Sequence, residues 1–169
     1  ASFIESGVSN KISPEIQSGY FLAQQLLNVR SFPEGNRNCY TLRPAQGRNN
    51  TYLIRAWFMY GNYDAKNQSS QFDLHIGADF WVTVTLDNKI TYHWKEIIHV
   101  PSTDYIYVCL INTGLGTPFI SALELRPLGN SMYDTQSESL NLFARWDLGR
   151  SETDPEVRCA IFVSICFWK

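Results

Sequence analysis

The chain of 169 residues is 44% hydrophobic and 18% charged, and its formal net charge at pH 7 is −2. This composition fits a single globular domain and excludes an intrinsically disordered chain. The sequence has no run of Lys and Arg and no apolar segment approaching ~18 residues, which argues against a nucleic-acid partner and against membrane insertion by this chain itself.

The first third of the chain gives a weak secondary-structure pattern. Residues 21–27 predict a short helix in an otherwise irregular segment, whereas residues 29–32 and 39–42 are typical of strands.

From Thr51 onward, short apolar segments alternate with turn-forming residues about every ten residues. The segments are rich in Ile, Val, Thr and aromatic residues, which favour β-strands. In residues 72–76 apolar and polar side chains alternate, as they do in a strand that buries one face. This spacing predicts an all-β sandwich or barrel. The predicted strands are residues 52–60, 72–76, 81–86, 96–100, 105–111 and 119–125.

After Pro127 the sequence becomes polar and rich in turn-forming residues, which predicts a linker. A further apolar segment begins near Asn141, and the last residues are almost entirely apolar. The predicted division is a β-domain over residues 1–128, a linker over 129–154 and an atypical apolar tail over 155–169.

His93 and His99 flank the segment HWKEIIH, which raises the question of a metal site. Six residues of extended strand span ~20 Å, so these two side chains could not share one ion, and surface or hydrogen-bonded histidines are favoured. The sequence contains no CxxC pair, Walker loop, GxSxG or HExxH motif. We therefore expect no metal, no cofactor and no catalytic residue, although a carboxylate pair could still meet in the fold.

Two Asn-X-Ser/Thr triplets begin at Asn49 and Asn67 and lie in polar stretches between apolar segments. In a secreted protein, such asparagines accept glycans on surface loops. The sequence therefore predicts glycosylation at both residues and an extracellular location.

The segment YLIRAWFMYGNYDAK joins an apolar strand to a loop that carries aromatic rings and amide groups. Aromatic faces stack on the CH groups of sugars and polar side chains bind their hydroxyls, so such a loop suits carbohydrate recognition. Rings within strands more often fill a core, which we expect of Trp57, Phe58 and Tyr107. For Tyr60 and Tyr63, at the strand end and turn, both interpretations stay open.

Four segments, VRSFPEGNRNCYTL, YLIRAWFMYGNYD, FDLHIGADFWVTV and VCLINTGLGTPFISALELRPL, cover residues 29–128. In this order they resemble the malectin-like ectodomain of plant leucine-rich-repeat receptor-like serine/threonine kinases. The resemblance implies a malectin-like β-sandwich of jelly-roll type, in a parent receptor of the plasma membrane with a cytoplasmic kinase. The chain contains no kinase sequence, so the resemblance implies a non-catalytic, extracellular recognition domain.

The resemblance also implies where a ligand would bind. Animal malectin contacts its sugar through aromatics after the strand that corresponds to residues 52–60, and through an acidic residue in a later loop. Here Tyr63 matches one aromatic, but residues 114–117 contain no acid, so the sugar site is incomplete. A cell-wall glycan, a peptide or a co-receptor ectodomain is the expected partner; a lectin-like module and a structural spacer are the alternatives. The candidate ligand-binding residues are Tyr60, Asn62, Tyr63, Asp64 and Thr117.

A second expectation concerns the exposure of the two tyrosine rings that follow the predicted strand of residues 52–60. We expect the ring of Tyr60 or Tyr63 to stay partly exposed beside residues 114–118. Burial of both rings would make the loop a structural turn.

Cys39 and Cys109 lie in predicted strands inside the matched region, and an extracellular compartment is oxidising. We expect their Cα atoms within ~7 Å, close enough to bridge. The alternative is that Cys39 pairs with an upstream cysteine and Cys109 is a buried free thiol.

The sequence also departs from the family pattern. It lacks the usual opening strand with an Asp-Cys-Gly motif and the second malectin module, and beyond Glu152 the resemblance ends. Because the chain begins at Ala1 rather than Met, we expect a processed protein or a fragment. The apolar tail is too short to span a membrane and is expected to dock poorly on the sandwich. The alternative is that it pairs with an open sheet edge.

Overall fold

The computed structural model describes residues 3–68, 70–86, 90–129, 139–147 and 164–168. Short strands joined by turns make up most of this part of the chain. The elements, in chain order, are β1 Val8–Lys11, α1 Pro14–Gly19, a 3₁₀ turn Gln24–Leu26, β2 Asn28–Ser31, β3 Arg37–Leu42, β4 Tyr52–Met59, β5 Ser70–Ile76, β6 Asp79–Leu86, β7 Tyr92–His99, β8 Ile106–Leu115, β9 Phe119–Ile120, β10 Ala122–Pro127, β11 Ser139–Asp147 and β12 Ser164–Trp168.

The strands form three antiparallel sheets. One sheet has the order β10-β4-β7-β11-β12, a second has the order β3-β8-β5-β6, and a small third sheet has the order β1-β2-β9. Neighbouring strands in these sheets are mostly distant in sequence, as in a sandwich built from crossing connections rather than simple hairpins. The predicted all-β sandwich is therefore confirmed.

The core lies between the first two sheets. Every second residue of β4, from Tyr52 to Phe58, is fully buried, as is Phe72 on β5. The Phe58 and Phe72 rings meet across the sandwich with centroids 5.7 Å apart, and Phe119 of the small sheet packs on Phe72 at 5.8 Å. These rings join the three sheets into one hydrophobic core.

The predicted strand over residues 119–125 is two strands. β9 pairs with β2, whereas β10 pairs with β4, so the chain changes sheets at Ser121. The backbone N–H of Ser121 donates to the Trp57 carbonyl at 2.8 Å, and its Oγ accepts from the Met59 N–H at 3.0 Å. Ser121 thus satisfies backbone groups at the point where the strand bends.

The short helix predicted over residues 21–27 is only a 3₁₀ turn, Gln24–Leu26. The helix lies earlier, at Pro14–Gly19, where Pro14 occupies the first turn with a φ suited to helix initiation. Phe21 is fully exposed, and only a 3₁₀ turn follows before β2. Leu26 is buried and Leu22 and Leu27 pack against the core, so the segment is anchored by its leucines without forming a regular α-helix.

Cys39 and Cys109 face each other directly in the β3–β8 pair and form a disulfide. Their Cα atoms lie 4.0 Å apart, and the two residues are separated by 70 positions in sequence. The bridge links an edge strand of the second sheet to its neighbour.

β11 and β12 extend the first sheet beyond β7. Ser139 pairs with His99 of β7, and the backbone of β12 pairs with β11 from Leu142–Trp168 to Asp147–Ser164. Strand β11 therefore lies in the segment expected to be a linker. β12 thus pairs with β11 at the edge of the first sheet. The rest of the predicted tail, residues 155–163 and 169, lies outside the described residues, and both the poor docking and its alternative stay predictions. The domain boundaries themselves remain predictions.

Candidate functional site

The loop that follows β4, residues 60–68, is a tight turn and is called loop 60–68 below. Gly61, Asn62, Ala65 and Asn67 all have positive φ, between 50° and 58°. At Gly61 a Cβ would overlap the side chain of Ile12, and its carbonyl accepts from the Ser13 N–H at 2.7 Å. The loop is thus pressed against the segment after β1.

Tyr60 anchors loop 60–68 from within. Its side chain is 4% exposed, and its hydroxyl donates to Asp64 Oδ1 and accepts from the Gln68 N–H at 3.3 Å. Asp64 Oδ1 also accepts from the Lys66 N–H at 3.1 Å. Burial, with the Asp64 carboxylate as the next cause, raises the pKa of Tyr60. The two predicted ligand-binding side chains Tyr60 and Asp64 therefore bind each other.

Asn62 also accepts hydrogen bonds within the loop. Its side-chain oxygen accepts from the Asn67 N–H at 2.9 Å, and its carbonyl accepts from the Ala65 N–H at 3.1 Å. Asparagine tolerates the left-handed backbone at this position and closes a turn through its side chain. The amide of Asn62 thus organises the loop rather than projecting toward a ligand.

Tyr63 is half-buried and stacks edge-on against two rings. Its centroid lies 5.5 Å from that of Tyr60 and 5.5 Å from that of Phe119. Burial raises the pKa of Tyr63 to about 12, although a hydrogen bond with the Ser31 side chain lowers it in part. Of the two rings expected to be partly exposed, Tyr63 is and Tyr60 is not.

The loop over residues 114–118 reaches the same end of the sandwich. Gln71, near the start of β5, pairs with Leu115 at the end of β8, and loop 60–68 leads into β5. Thr117 is half-buried and lies two residues before Phe119, the ring that contacts Tyr63. The five candidate ligand-binding residues thus belong to one end of the molecule, although the side chains of Tyr60, Asn62 and Asp64 form hydrogen bonds within loop 60–68.

Asn49 and Asn67, the expected glycan acceptors, are both exposed. Both also have positive φ, at 59° and 54°, and lie in turns outside the sheets. A glycan at either residue would project away from the core; glycosylation itself stays a prediction.

A second surface lies on the outward face of the first sheet, and sequence reasoning missed it. Trp57 was expected in the core but is half-buried and points outward, together with Tyr92 and Trp94, each 41% exposed. Tyr107, also expected in the core, is 41% exposed, whereas Phe58 is fully buried as predicted. The sequence could have predicted this difference, because the neighbouring strand residues Trp57 and Phe58 must point to opposite faces of the sheet.

Buried and half-buried charged side chains lie beside these rings on the first sheet. Arg55 and Glu96 form an ion pair that is almost completely buried, and Glu124 lies 3.8 Å from the Arg55 guanidinium. Partial burial raises the pKa of Glu124, but hydrogen bonds from Trp57 and Arg126 and the charges of Arg126 and Arg55 outweigh it and lower the pKa overall.

His93 and His99 lie at the two ends of β7. His99 Nδ1 is 2.7 Å from Ser139 Oγ, and His93 Nε2 is buried with no hydrogen-bond partner. Among the residues that the structure describes, no three His, Cys, Asp or Glu side chains group closely enough to hold a metal ion. In the same part of the chain, no helix has the length and hydrophobicity to cross a membrane.

The chain is similar in sequence to a known family of proteins. A sequence model of the malectin-like domain matches residues 1–160. A putative leucine-rich repeat receptor-like protein kinase of Arabidopsis thaliana is 52% identical over 149 residues, which cover 88% of this chain and 17% of the relative. The chain therefore spans about a sixth of that relative's length, in its malectin-like domain and outside its kinase domain.

Solved structures show the same fold at low sequence identity. The plant receptor-like kinase FER superposes with a TM-score of 0.67 and 14% identity, covering 87% of this chain and 41% of that one. A structure of the peptide RALF23 in complex with FER and LLG2 gives a TM-score of 0.63 and 13% identity, covering 87% of this chain and 42% of the matched chain.

Proposed function

Because the chain belongs to the malectin-like family, we propose that it is a non-catalytic recognition domain on the extracellular side of a plant receptor-like kinase. Its ligand is a peptide or a co-receptor ectodomain, bound at the end of the sandwich formed by loop 60–68 and residues 114–118. The receptor kinases of Arabidopsis that resemble it, and the structure of FER with a peptide and LLG2, support this class of function.

The observation that carries the proposal is the internal hydrogen bonding of loop 60–68. The side-chain groups of Tyr60, Asn62 and Asp64 that could bind sugar hydroxyls already bind within the loop. What the loop offers is a rigid surface with the half-buried ring of Tyr63 at its centre. A preformed surface of this kind favours protein recognition, because partners bind with little rearrangement and low entropic cost.

The two alternatives predict different behaviour at the same loop. A lectin-like site would need Asn62 and Asp64 to leave their loop partners, so ligand binding would loosen the turn. A structural spacer would have no ligand, and substitutions at Tyr63 would change stability alone. Both alternatives are therefore separable from protein recognition by the variants below.

The test measures binding of the 169-residue chain to a panel of secreted plant peptides and receptor ectodomains that includes RALF23 and LLG2. Tyr63→Ala and Thr117→Arg alter the proposed surface. Phe80→Ala is the matched control, since Phe80 is 60% exposed beside the β5–β6 turn at the opposite end of the sandwich. We expect at least tenfold weaker binding for the first two variants and unchanged binding for the control.

Two results would contradict the proposal. A partner that binds both surface variants as well as the unaltered chain would place recognition elsewhere. Failure of the whole panel to bind would favour the spacer. Thermal melting of each variant separates loss of folding from loss of the surface.

A further inference from the structure

A crevice of about 400 Å³, here called the edge crevice, is lined by residues of β3 and β10. In the described part of the chain, these are outer strands of the two main sheets. Leu123 and Leu125 of β10 pair with two fully buried core residues of β4, so they face the core side of their sheet, and Leu42 of β3 lines the same space. Six of the ten lining residues are apolar. A recess of this size and character is typical of a small-molecule site.

Two arginines line the edge crevice. Arg30 is half-buried on β2, and its Nε donates to the Ser6 carbonyl at 2.9 Å. Arg43 follows β3 directly and is exposed, with its guanidinium carbon 5.9 Å from the Tyr105 ring centroid. Neither arginine forms an ion pair with another residue that the structure describes. The apolar walls are therefore bordered by positive charge that no described carboxylate balances.

Tyr40 supplies a further polar group to the edge crevice. Its ring is half-buried and packs edge-on against Phe32, with centroids 6.1 Å apart. Burial raises the pKa of Tyr40 to about 12, although the positive charge of Arg30 lowers it in part. Within the described ranges its hydroxyl has no hydrogen-bond partner. At neutral pH the phenol is protonated, so it is an available donor beside the two arginines.

We propose that the edge crevice binds a small organic monocarboxylate, whose apolar body lies against Leu42, Leu123 and Leu125 and whose carboxylate is bound by Arg30 and Arg43. Guanidinium groups match the planar carboxylate and bind it through charge-assisted hydrogen bonds. The leucine walls add affinity by removing apolar ligand surface from water.

The lining of the edge crevice favours this ligand class over others. A sugar has many hydroxyls to satisfy, whereas four of the ten lining residues are polar and one of them, Ser121, already bonds the β4 backbone. A stable protein interface needs about 800 Å² from each partner, far more than a recess of this volume offers. No residue of loop 60–68 lines the edge crevice, so this site and its ligand are separate from the recognition surface proposed above.

The test titrates the 169-residue chain by calorimetry with octanoate and 2-naphthoate, and with their neutral counterparts octanamide and 2-naphthamide. Arg30→Gln and Arg43→Gln, made together, remove the two charges, and Leu123→Trp fills the cavity. Arg48→Gln is the matched control, because Arg48 is an exposed arginine of the loop after β3 that does not line the crevice. Thermal melting reports whether each variant is folded. If Leu123→Trp does not fold, the arginine variants still test the site.

We expect at least one of the two carboxylates to bind, and its neutral amide to bind at least tenfold more weakly. The double arginine variant should weaken binding of the carboxylate by a similar factor, Leu123→Trp should abolish it, and Arg48→Gln should leave it unchanged. Failure of both carboxylates to bind, equal affinity for acid and amide, or equal losses for Arg48→Gln and the double variant would overturn the proposal. Binding that persists in a folded Leu123→Trp protein would place the ligand outside the edge crevice. None of these results depends on the peptide and ectodomain panel, so each proposal can fail alone.

Discussion

Loop 60–68 follows β4, and the outward rings Trp57, Tyr92 and Trp94, here called the aromatic platform, lie on β4 and β7. The two regions use aromatic residues in opposite ways. In the loop, Tyr60 is buried and Tyr63 packs onto Phe119, while the polar groups are satisfied internally. On the platform, Trp94 and Tyr92 point outward and the charges beneath them are paired. The position of a ring in a loop or strand therefore does not decide its exposure. The direction of the side chain and the location of its nearest partners do.

The largest expected effect tests the base of the platform. Glu96→Ala leaves Arg55 buried without its closest carboxylate, and removing one member of a buried ion pair costs about 3–5 kcal/mol of unfolding free energy. The matched variant Glu124→Ala removes a carboxylate that is 26% exposed, from ion pairs with Arg55 and Arg126. We expect it to cost about 1 kcal/mol. Urea denaturation at pH 7 measures both.

Equal losses of unfolding free energy for Glu96→Ala and Glu124→Ala would mean that the buried Arg55–Glu96 pair stabilises the fold no more than the partly exposed pairs of Glu124. The platform would then lack the rigid base that separates it from the loop.

The next effect tests how tightly loop 60–68 is held. Gly61→Ala forces a Cβ into a left-handed residue and against the Ile12 side chain, whereas Gly77→Ala imposes a similar backbone, φ 58°, with nothing within 4 Å of the Cβ. The backbone cost is about 1–2 kcal/mol in both, and overpacking adds about 1–3 kcal/mol at Gly61 alone. We expect Gly61→Ala to lower the melting temperature more than Gly77→Ala. Matching losses would show that the loop can move away from Ile12.

Much of the fold could be predicted from the sequence, because alternation in segments such as residues 72–76 reports directly on one buried face. The break at Ser121 could not, since it depends on which strand each half pairs with. The same limit applied at the candidate site. The residues of loop 60–68 were predictable as a group, but the hydrogen bond between Tyr60 and Asp64 is a tertiary contact. The outward position of Trp57 was missed because Trp57 and Phe58 were both assigned to the core, although neighbouring residues of a strand point to opposite faces.

The smallest expected effect concerns the phenol of Tyr63, whose ionisation makes the stability of the folded chain depend on pH. Its pKa is raised from 10.0 to about 12, chiefly by burial. Below pH 10 the phenol is protonated in the folded and unfolded chain, and its contribution to stability is fully present. Between pH 10 and 12 the unfolded chain releases this proton while the folded chain keeps it, so the free energy of unfolding falls as pH rises.

Tyr63→Phe removes this ionisation while keeping the ring on Phe119. At pH 7 the variant should lose about 1 kcal/mol, because the hydrogen bond with Ser31 is gone. Between pH 10 and 12 its free energy of unfolding should decline less steeply than that of the unaltered chain, because the variant lacks the ionisation of Tyr63. Some decline remains, because Tyr60, whose pKa is also raised, is present in both proteins. Urea unfolding without reductant across this range measures the two slopes. Parallel slopes would mean that Tyr63 ionises as easily in the folded chain as in the unfolded one, and the ring would then be a solvated group of the loop rather than part of its packed surface.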